Sequence, residues 1–228
     1  MKKVITFSLW GTSLKYCIGA IKNIDIAKKY YPDFECWIYI HIETVPNNIV
    51  NEIKKRDNVK IIFKSGDLNT CKPMMWRFEA IDDNEVEIMM SRDTDTRIYI
   101  REKEAVDEWL SSDKLFHIMR DHPAHGSLIL GGMFGTRKIS EIKSWTKIID
   151  TFVQNGIRQY DQDFLVNYIY PKIKNDSIIH ASFCKFEGNL CKNFPSKYDE
   201  EYHFVGEYVY EDDTRNIDDI NTLKQNLH

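Results

Sequence analysis

EIMMSRDTDTR, residues 87–97, is an apolar run that passes directly into an acidic triplet. Residues 88–90 read as a buried strand, and Asp93, Thr94 and Asp95 follow it, bracketed by Arg92 and Arg97. In an extended chain, residues two apart point to the same side, so the carboxylates of Asp93 and Asp95 are expected to converge on one cation. Carboxylate oxygens suit Mn2+ or Mg2+, ions commonly held by one or two carboxylates with substrate phosphates completing the shell. Ligands of open α/β sheets bind outside the carboxyl ends of strands, which is where this triplet falls. The motif is short, and a second D-x-D, Asp161-Gln162-Asp163, occurs in the same chain.

On the N-terminal side, strand-like and helix-like segments alternate. Residues 4–9 form a β-branched and aromatic run that ends at a turn, Trp10-Gly11-Thr12-Ser13. Helical spacing follows over 14–30, then a strand over 35–42, a helix opening at Pro46 and a strand over 59–63. This alternation predicts an α/β fold with a mixed, mostly parallel central sheet flanked by helices in a single domain. A helix over 73–81 leads into the D-x-D strand, with a surface helix over 101–110 and a strand over 116–119 beyond it. Residues 128–136, LILGGMFGT, are apolar but broken by glycines, which suggests close approach by a ligand or another backbone. Helices are expected over 141–153, stopped at Asn155-Gly156, and over 160–169, closed by Pro171. A last strand is expected over 178–183. We expect residues 1–210 to form the domain and 211–228 an acidic C-terminal tail.

With 228 residues, 29% of them charged, and a formal net charge of −4, the chain suits a globular protein rather than a general nucleic-acid binder. Cys17, Cys36, Cys71, Cys184 and Cys191 are odd in number and include no C-x-x-C pair. They suggest neither a disulfide framework nor a zinc site, and fit a reducing compartment. No apolar run approaches the ~18 residues of a membrane span. The N-terminal run imitates a secretion signal, but Lys15 interrupts it, and it reads better as a first strand.

Several polar groups fall where a cleft would form. Asp161, Gln162 and Asp163 open a helix, where an acidic residue commonly just caps free N–H groups; facing a cleft, Asp161 and Gln162 would hydrogen-bond a polyhydroxy substrate. His180 ends a short apolar strand and is a candidate third metal ligand, with His203 a weaker one. The fork of Arg77 would suit a diphosphate, as would the point charge of Lys185 or Lys192. Trp10 and Tyr16 are core candidates that could also lie against a base. The polar loop Arg120-Asp121-His122-Pro123 is either solvated or a carrier of binding groups.

Taken in order, FSLWG (7–11), MMWRFEAIDD (74–83), SRDTDTR (91–97), RDHPAHG (120–126), LGGMFG (130–135), YDQDFLVNYIYP (160–171), HASFC (180–184) and HFVGE (203–207) resemble GT-A nucleotide-sugar-dependent glycosyltransferases. The likeness is to the compact enzymes of large DNA viruses of the chlorella-virus and giant-virus type, and the DQD also resembles the glycogenin-like group. The resemblance implies a GT-A, Rossmann-like fold, with Asp93 and Asp95 holding Mn2+ or Mg2+ against a donor diphosphate and His180 as a third ligand. Phe7, Ser8, Leu9, Trp10 and Gly11 would cradle the nucleoside, and Arg77 would position the donor. Gly131 and Gly132 would offer backbone beside the sugar, with Asp121, Asp161 and Gln162 on its hydroxyls. In an inverting reaction a carboxylate near the anomeric carbon would act as base for the acceptor hydroxyl, and Asp161 or Asp163 is the candidate. The resemblance also implies a UDP-sugar donor and a glycan or glycoprotein acceptor; the net charge argues for no nucleic-acid partner, and the cysteines for a cytoplasmic location, in the host if the protein is viral. The lysine-proline-tryptophan signature of the glycogenin-like group is missing. Two other readings stand beside this one: a sugar-phosphate nucleotidylyltransferase, which should carry a glycine-rich loop after the first strand, and an inactive nucleotide-sugar-binding module.

Overall fold

The computed structural model describes residues 1–154 and 160–227, so the expected stop at Asn155-Gly156 lies outside the described residues. The N-terminal half runs β1 (Lys2–Leu9), α1 (Leu14–Tyr30), β2 (Phe34–His41), α2 (Asn47–Lys54), β3 (Val59–Lys64). Next come α3 (Lys72–Met75), continued by a 3-10 helix (Trp76–Asp82), then β4 (Val86–Arg92), α4 (Ile100–Leu110), β5 (Phe116–Arg120) and β6 (Met133–Arg137). The C-terminal part holds α5 (Trp145–Gln154), α6 (Asp161–Phe164), a π-helical turn (Leu165–Ile169), α7 (Tyr170–Ile173), β7 (Ser177–Ala181), β8 (Cys191–Lys192) and α8 (Ile217–Gln225).

The strands form one sheet in the order β3-β2-β1-β4-β6-β5-β7-β8. β6 pairs antiparallel with both β4 and β5, and the other pairings are parallel. The central strands β1, β2 and β4 are mostly buried and apolar because both faces of the sheet are covered there, whereas the edge strand β3 is only half-buried and carries Lys60 and Lys64. Successive side chains feed opposite cores: Ile5, Phe7, Leu9, Ile38, Ile40, Ile88 and Met90 pack with α1 and α2. Val4, Trp37, Tyr39 and Met89 join Phe78, Phe134, Trp145 and Phe164 on the other face. This is the single α/β domain with a mixed, mostly parallel sheet that the alternation predicts.

Three expectations change. The glycine-broken stretch forms a strand only from Met133; residues before it are irregular and approach the site described below. Pro171 does not close its helix: the π turn re-phases the chain so that Pro171 enters the first turn of α7, where a missing N–H costs nothing. The segment after Glu211 is folded onto the body. Asn216 accepts from the Asp218 N–H to cap α8, whose Ile220 and Leu223 are buried.

Candidate active site

The strand order reverses at β1, with β2 and β3 on one side and β4 on the other. The crevice beyond the carboxyl ends of β1 and β4 is the ligand-binding position that such a reversal creates. A cleft of about 480 Å³ lies there. Ser8 and Leu9, the last residues of β1, reach it with Trp10 beyond them, and Asp93, Thr94 and Asp95 follow β4 into it. Tyr16, Met74, Arg77, His125, Leu130, Gly131, Met133, Asp161, Gln162 and Gly206 complete its lining.

The acidic triplet is a turn rather than extended chain, because β4 ends at Arg92. The Thr96 hydroxyl donates to the Asp93 carbonyl at 3.1 Å, and the Asn23 amide of α1 donates to the Thr96 carbonyl at 2.9 Å. One turn before Asn23, Gly19 lets α1 lie directly on the triplet: a Cβ there would fall 1.9 Å from the Thr94 carbonyl oxygen. From the C-terminal side, the Val209 N–H donates to the Asp95 carbonyl at 2.8 Å. The bracketing arginines face away from the cleft. Arg92 is buried against Glu102 at 2.7 Å, and Arg97 binds Asp213 at 3.0 Å.

Arg77 is the hub of the cleft floor. Its backbone N–H donates to the Ser8 hydroxyl at 3.1 Å, and Nη1 donates both to the Arg92 carbonyl at 2.9 Å and to the Asp93 carboxylate. Nη2 donates to Asp161 Oδ2 at 2.9 Å. Side-chain exposure falls from 39% at Asp93 to 21% at Asp95, 10% at Asp161 and 6% at Arg77, so the site runs from a wet mouth to a dry floor. Burial raises the Asp161 carboxyl above its usual range; Arg77 opposes the shift and Asp93 adds to it. Burial likewise raises Asp95, reinforced by repulsion from Asp93 and opposed by Lys15, whose Nζ is 3.4 Å away. Lys15 lies between the rings of Tyr16 and Tyr208, 4.1 and 4.2 Å from their centroids.

The glycines serve this cluster. A Cβ on Gly131 would lie 1.9 Å from Asp161 Oδ2, and one on Gly132 would lie 1.9 Å from Asp93 Oδ2. The close approach anticipated from sequence is thus an approach of carboxylates, with Gly132 against Asp93 rather than on the cleft wall.

Of the residues singled out in the sequence, Ser8, Leu9, Trp10, Tyr16, Arg77, Asp93, Asp95, Gly131, Asp161 and Gln162 come together in the cleft. Others do not. His180 is three strands from β4 in sheet order, fully buried, with Nδ1 2.8 Å from His117 Nε2 and Nε2 3.2 Å from Glu108, so it is no ligand to the D-x-D. Asp121 is sealed in the interior, its carboxylate taken by Arg101, Ser182, Tyr198 and the Val205 N–H. Phe7 is core, pointing to the opposite side of β1 from Ser8. Gly11 does not line the cleft; its N–H donates to Thr44 Oγ1 at 2.9 Å. Asp163 is exposed and accepts from the Tyr160 N–H at the start of α6, the capping role weighed against it above. Lys185 is exposed and bonds Asn193 at 2.9 Å. His203 pairs with Asp199 at 2.8 Å outside the cleft lining. Met74, His125, Leu130, Met133 and Gly206 were missed. Of these, His125 alone carries a polar side chain, and its neighbours in RDHPAHG draw attention away from it.

Asp93 and Asp95 both line the cleft and repel each other, with Arg77 on Asp93 and Lys15 on Asp95 opposing that repulsion; their oxygens are the donor type a hard divalent cation takes. Among the described residues, no group of three or more His, Cys, Asp or Glu is arranged around a metal position.

No protein-family model matches the sequence, and the curated proteins give no match to it. Solved structures do match in fold. The 4-diphosphocytidyl-2C-methyl-D-erythritol synthase of Anaerococcus prevotii superposes with a TM-score of 0.51 at 10% identity, covering 79% of this chain and 87% of its own. The galactosyltransferase LgtC, solved with donor and acceptor sugar analogues, gives 0.50 at 13% identity, covering 78% and 73%. A glycosyltransferase involved in glycosylation of the major capsid of PBCV-1 gives 0.49 at 14% identity, covering 79% and 82%. The fold is the GT-A, Rossmann-like arrangement. Its neighbours include both glycosyltransferases and nucleotidyltransferases, so the fold alone does not choose between these activities.

Proposed function

We propose that this protein is a metal-dependent glycosyltransferase that moves a sugar from a nucleoside-diphosphate sugar, with UDP as the nucleotide, to a hydroxyl of a glycan or glycoprotein. The observation that carries the reading is the convergence of Asp93, Asp95, Arg77 and Asp161 in one cleft at the switch point of the sheet. Asp93 and Asp95 would hold Mn2+ or Mg2+, which when bound supplies positive charge to a diphosphate leaving group. Trp10 and Tyr16, which line the cleft with Ser8, would stack on the base. Arg77 fixes Asp93 and Asp161 relative to each other, and so orients the mouth and floor as one unit. Asp161 sits where burial favours its protonated form. It is therefore a stronger base than an exposed aspartate, suited either to accept a proton from the incoming hydroxyl or to stabilise positive charge on the sugar. Gln162, beside it, is a neutral hydrogen-bonding partner for sugar hydroxyls.

The nucleotidylyltransferase reading shares the fold. It calls for backbone N–H groups free to cradle phosphate after β1, and here the single glycine of that turn, Gly11, has its N–H engaged by Thr44. No helix of the described residues is long and apolar enough to cross a membrane, and all five cysteines are free. We place the protein in the reducing cytoplasm, and assign residues 1–210 to the catalytic domain and 211–228 to a C-terminal segment whose Ile220 and Leu223 are buried against it.

The test is thermal stability with a panel of nucleoside-diphosphate sugars, each with and without Mn2+. A ligand that binds only the native state raises Tm with the logarithm of its concentration over its Kd. The reading expects a rise with a UDP-sugar plus Mn2+ that is lost in Asp93→Ala/Asp95→Ala. A flat panel contradicts it.

A further inference from the structure

The connection between β5 and β6 places His125 in the cleft wall. Its Nδ1 accepts the Asp121 backbone N–H at 3.0 Å. A ring nitrogen that accepts carries no proton, so the proton of the neutral imidazole is on Nε2. Burial, reinforced by His122, holds the imidazole pKa down at about 3, and the ring stays neutral at working pH. His122 is consumed by structure: Nδ1 accepts from the Ala124 N–H at 3.1 Å, and Nε2 donates to the Asp219 carbonyl at 2.9 Å. His125 Nε2 has no partner among the described residues. Behind it, Asp121 is fully buried and held on every side, so the frame that orients the ring is rigid. The cleft's charged groups are Asp93, Asp95, Asp161 and Arg77, and Gln162 is a neutral amide beside them. His125 adds a neutral donor.

We propose that His125 is a specificity-determining residue whose Nε2–H donates to a sugar hydroxyl bound in the cleft, and that this contact selects among sugars. The inference rests on the transferase reading above. The hydroxyl belongs either to the donor sugar or to the acceptor, and the chemistry is the same: a site built to bond a hydroxyl rejects the analogue that lacks it or points it elsewhere.

Two substitutions separate framing from sugar contact. His125→Asn retains an acceptor near the position of Nδ1 but does not reach the position of Nε2. His125→Gln reaches it with an amide donor. Calorimetric binding with Mn2+ present would use UDP, then a panel of UDP-sugars, then methyl glycosides added to the UDP-loaded protein. All three proteins are expected to bind UDP alike. His125→Asn is expected to lose about tenfold in affinity for the preferred sugar ligand, and His125→Gln to regain most of it. A loss on UDP-sugars places the hydroxyl on the donor; a loss confined to methyl glycosides places it on the acceptor. The proposal is overturned if both variants bind every sugar ligand as the wild type does, if UDP affinity falls in step, or if His125→Gln is no better than His125→Asn. A wild type that binds neither UDP nor any UDP-sugar defeats the transferase reading first, and this inference with it.

Discussion

Gly132 and Gly19 hold the acidic turn in place from opposite sides, and neither has room for a methyl group. At Gly132 the clash is with the Asp93 carboxylate, whose Oδ2 would lie 1.9 Å from a new Cβ, and with the Asp93 backbone nitrogen at 2.9 Å. Gly132→Ala should therefore displace Asp93 and abolish the metal-dependent part of nucleotide-sugar binding, measurable as loss of the Mn2+-dependent Tm rise. At Gly19 the clash is with backbone at Thr94, which cannot swing aside as a side chain end can. Overpacking of this kind costs about 1–3 kcal/mol, so Gly19→Ala should lower Tm by several degrees in a calorimetric scan. Arg77 is a third such point. Its pair with the half-exposed Asp93 is screened and contributes little, whereas its pair with Asp161 is dry. Arg77→Ala leaves Asp161 buried without its cation, and is expected to cost about 3–5 kcal/mol in urea denaturation. Arg77→Lys should fall short of wild type as well, because a point charge cannot bridge two carboxylates as the guanidinium fork does.

Elements were legible where local pattern and tertiary role agreed. α1 spans the residues its periodicity indicates, because Gly11-Thr12-Ser13 precedes it, Pro32 follows, and its apolar face meets the sheet. α5 begins later than its pattern suggests because its cap comes from a distant residue: the Asp82 carboxylate accepts from the N–H groups of Trp145 and Thr146, both at 2.8 Å. No local reading shows a cap borrowed from the 3-10 helix. α8 has a cap residue, Asn216, and two apolar positions three apart, a signal that its acidic surroundings obscured. β5 and β7 carry the pair mistaken in part for a metal ligand. Glu108 accepts from His180 Nε2, so His180 Nδ1 accepts from His117 Nε2, and His117 Nδ1 is left without a partner among the described residues. Burial lowers both imidazoles; His180 and Arg92 push His117 further down, while Glu108 partly opposes the shift at His180. The unfolded chain thus takes up protons at a higher pH than the native one, and native stability should fall as pH drops through about 6.5. Urea midpoints at pH 7.5 and 5.5 should show this fall, and His117→Gln should reduce it.

At the scale of the whole molecule, the sequence located the cleft because position at the carboxyl end of a strand is a local property: Ser8 and Leu9 end β1, the acidic turn follows β4, and reversal of strand order at β1 brings them together. It misplaced His180 and Asp121 because a polar residue at a strand end reads the same whether it faces a cleft or a neighbouring helix. The proposed reaction breaks the bond between sugar and diphosphate. Incubating the protein with Mn2+ and a UDP-sugar, then separating the nucleotides by chromatography, tests it directly. Slow release of UDP is expected with water as acceptor, faster release when a suitable glycan is added, and none from Asp93→Ala/Asp95→Ala. Formation of UTP and sugar phosphate when pyrophosphate is supplied, with no UDP under any condition, would contradict it.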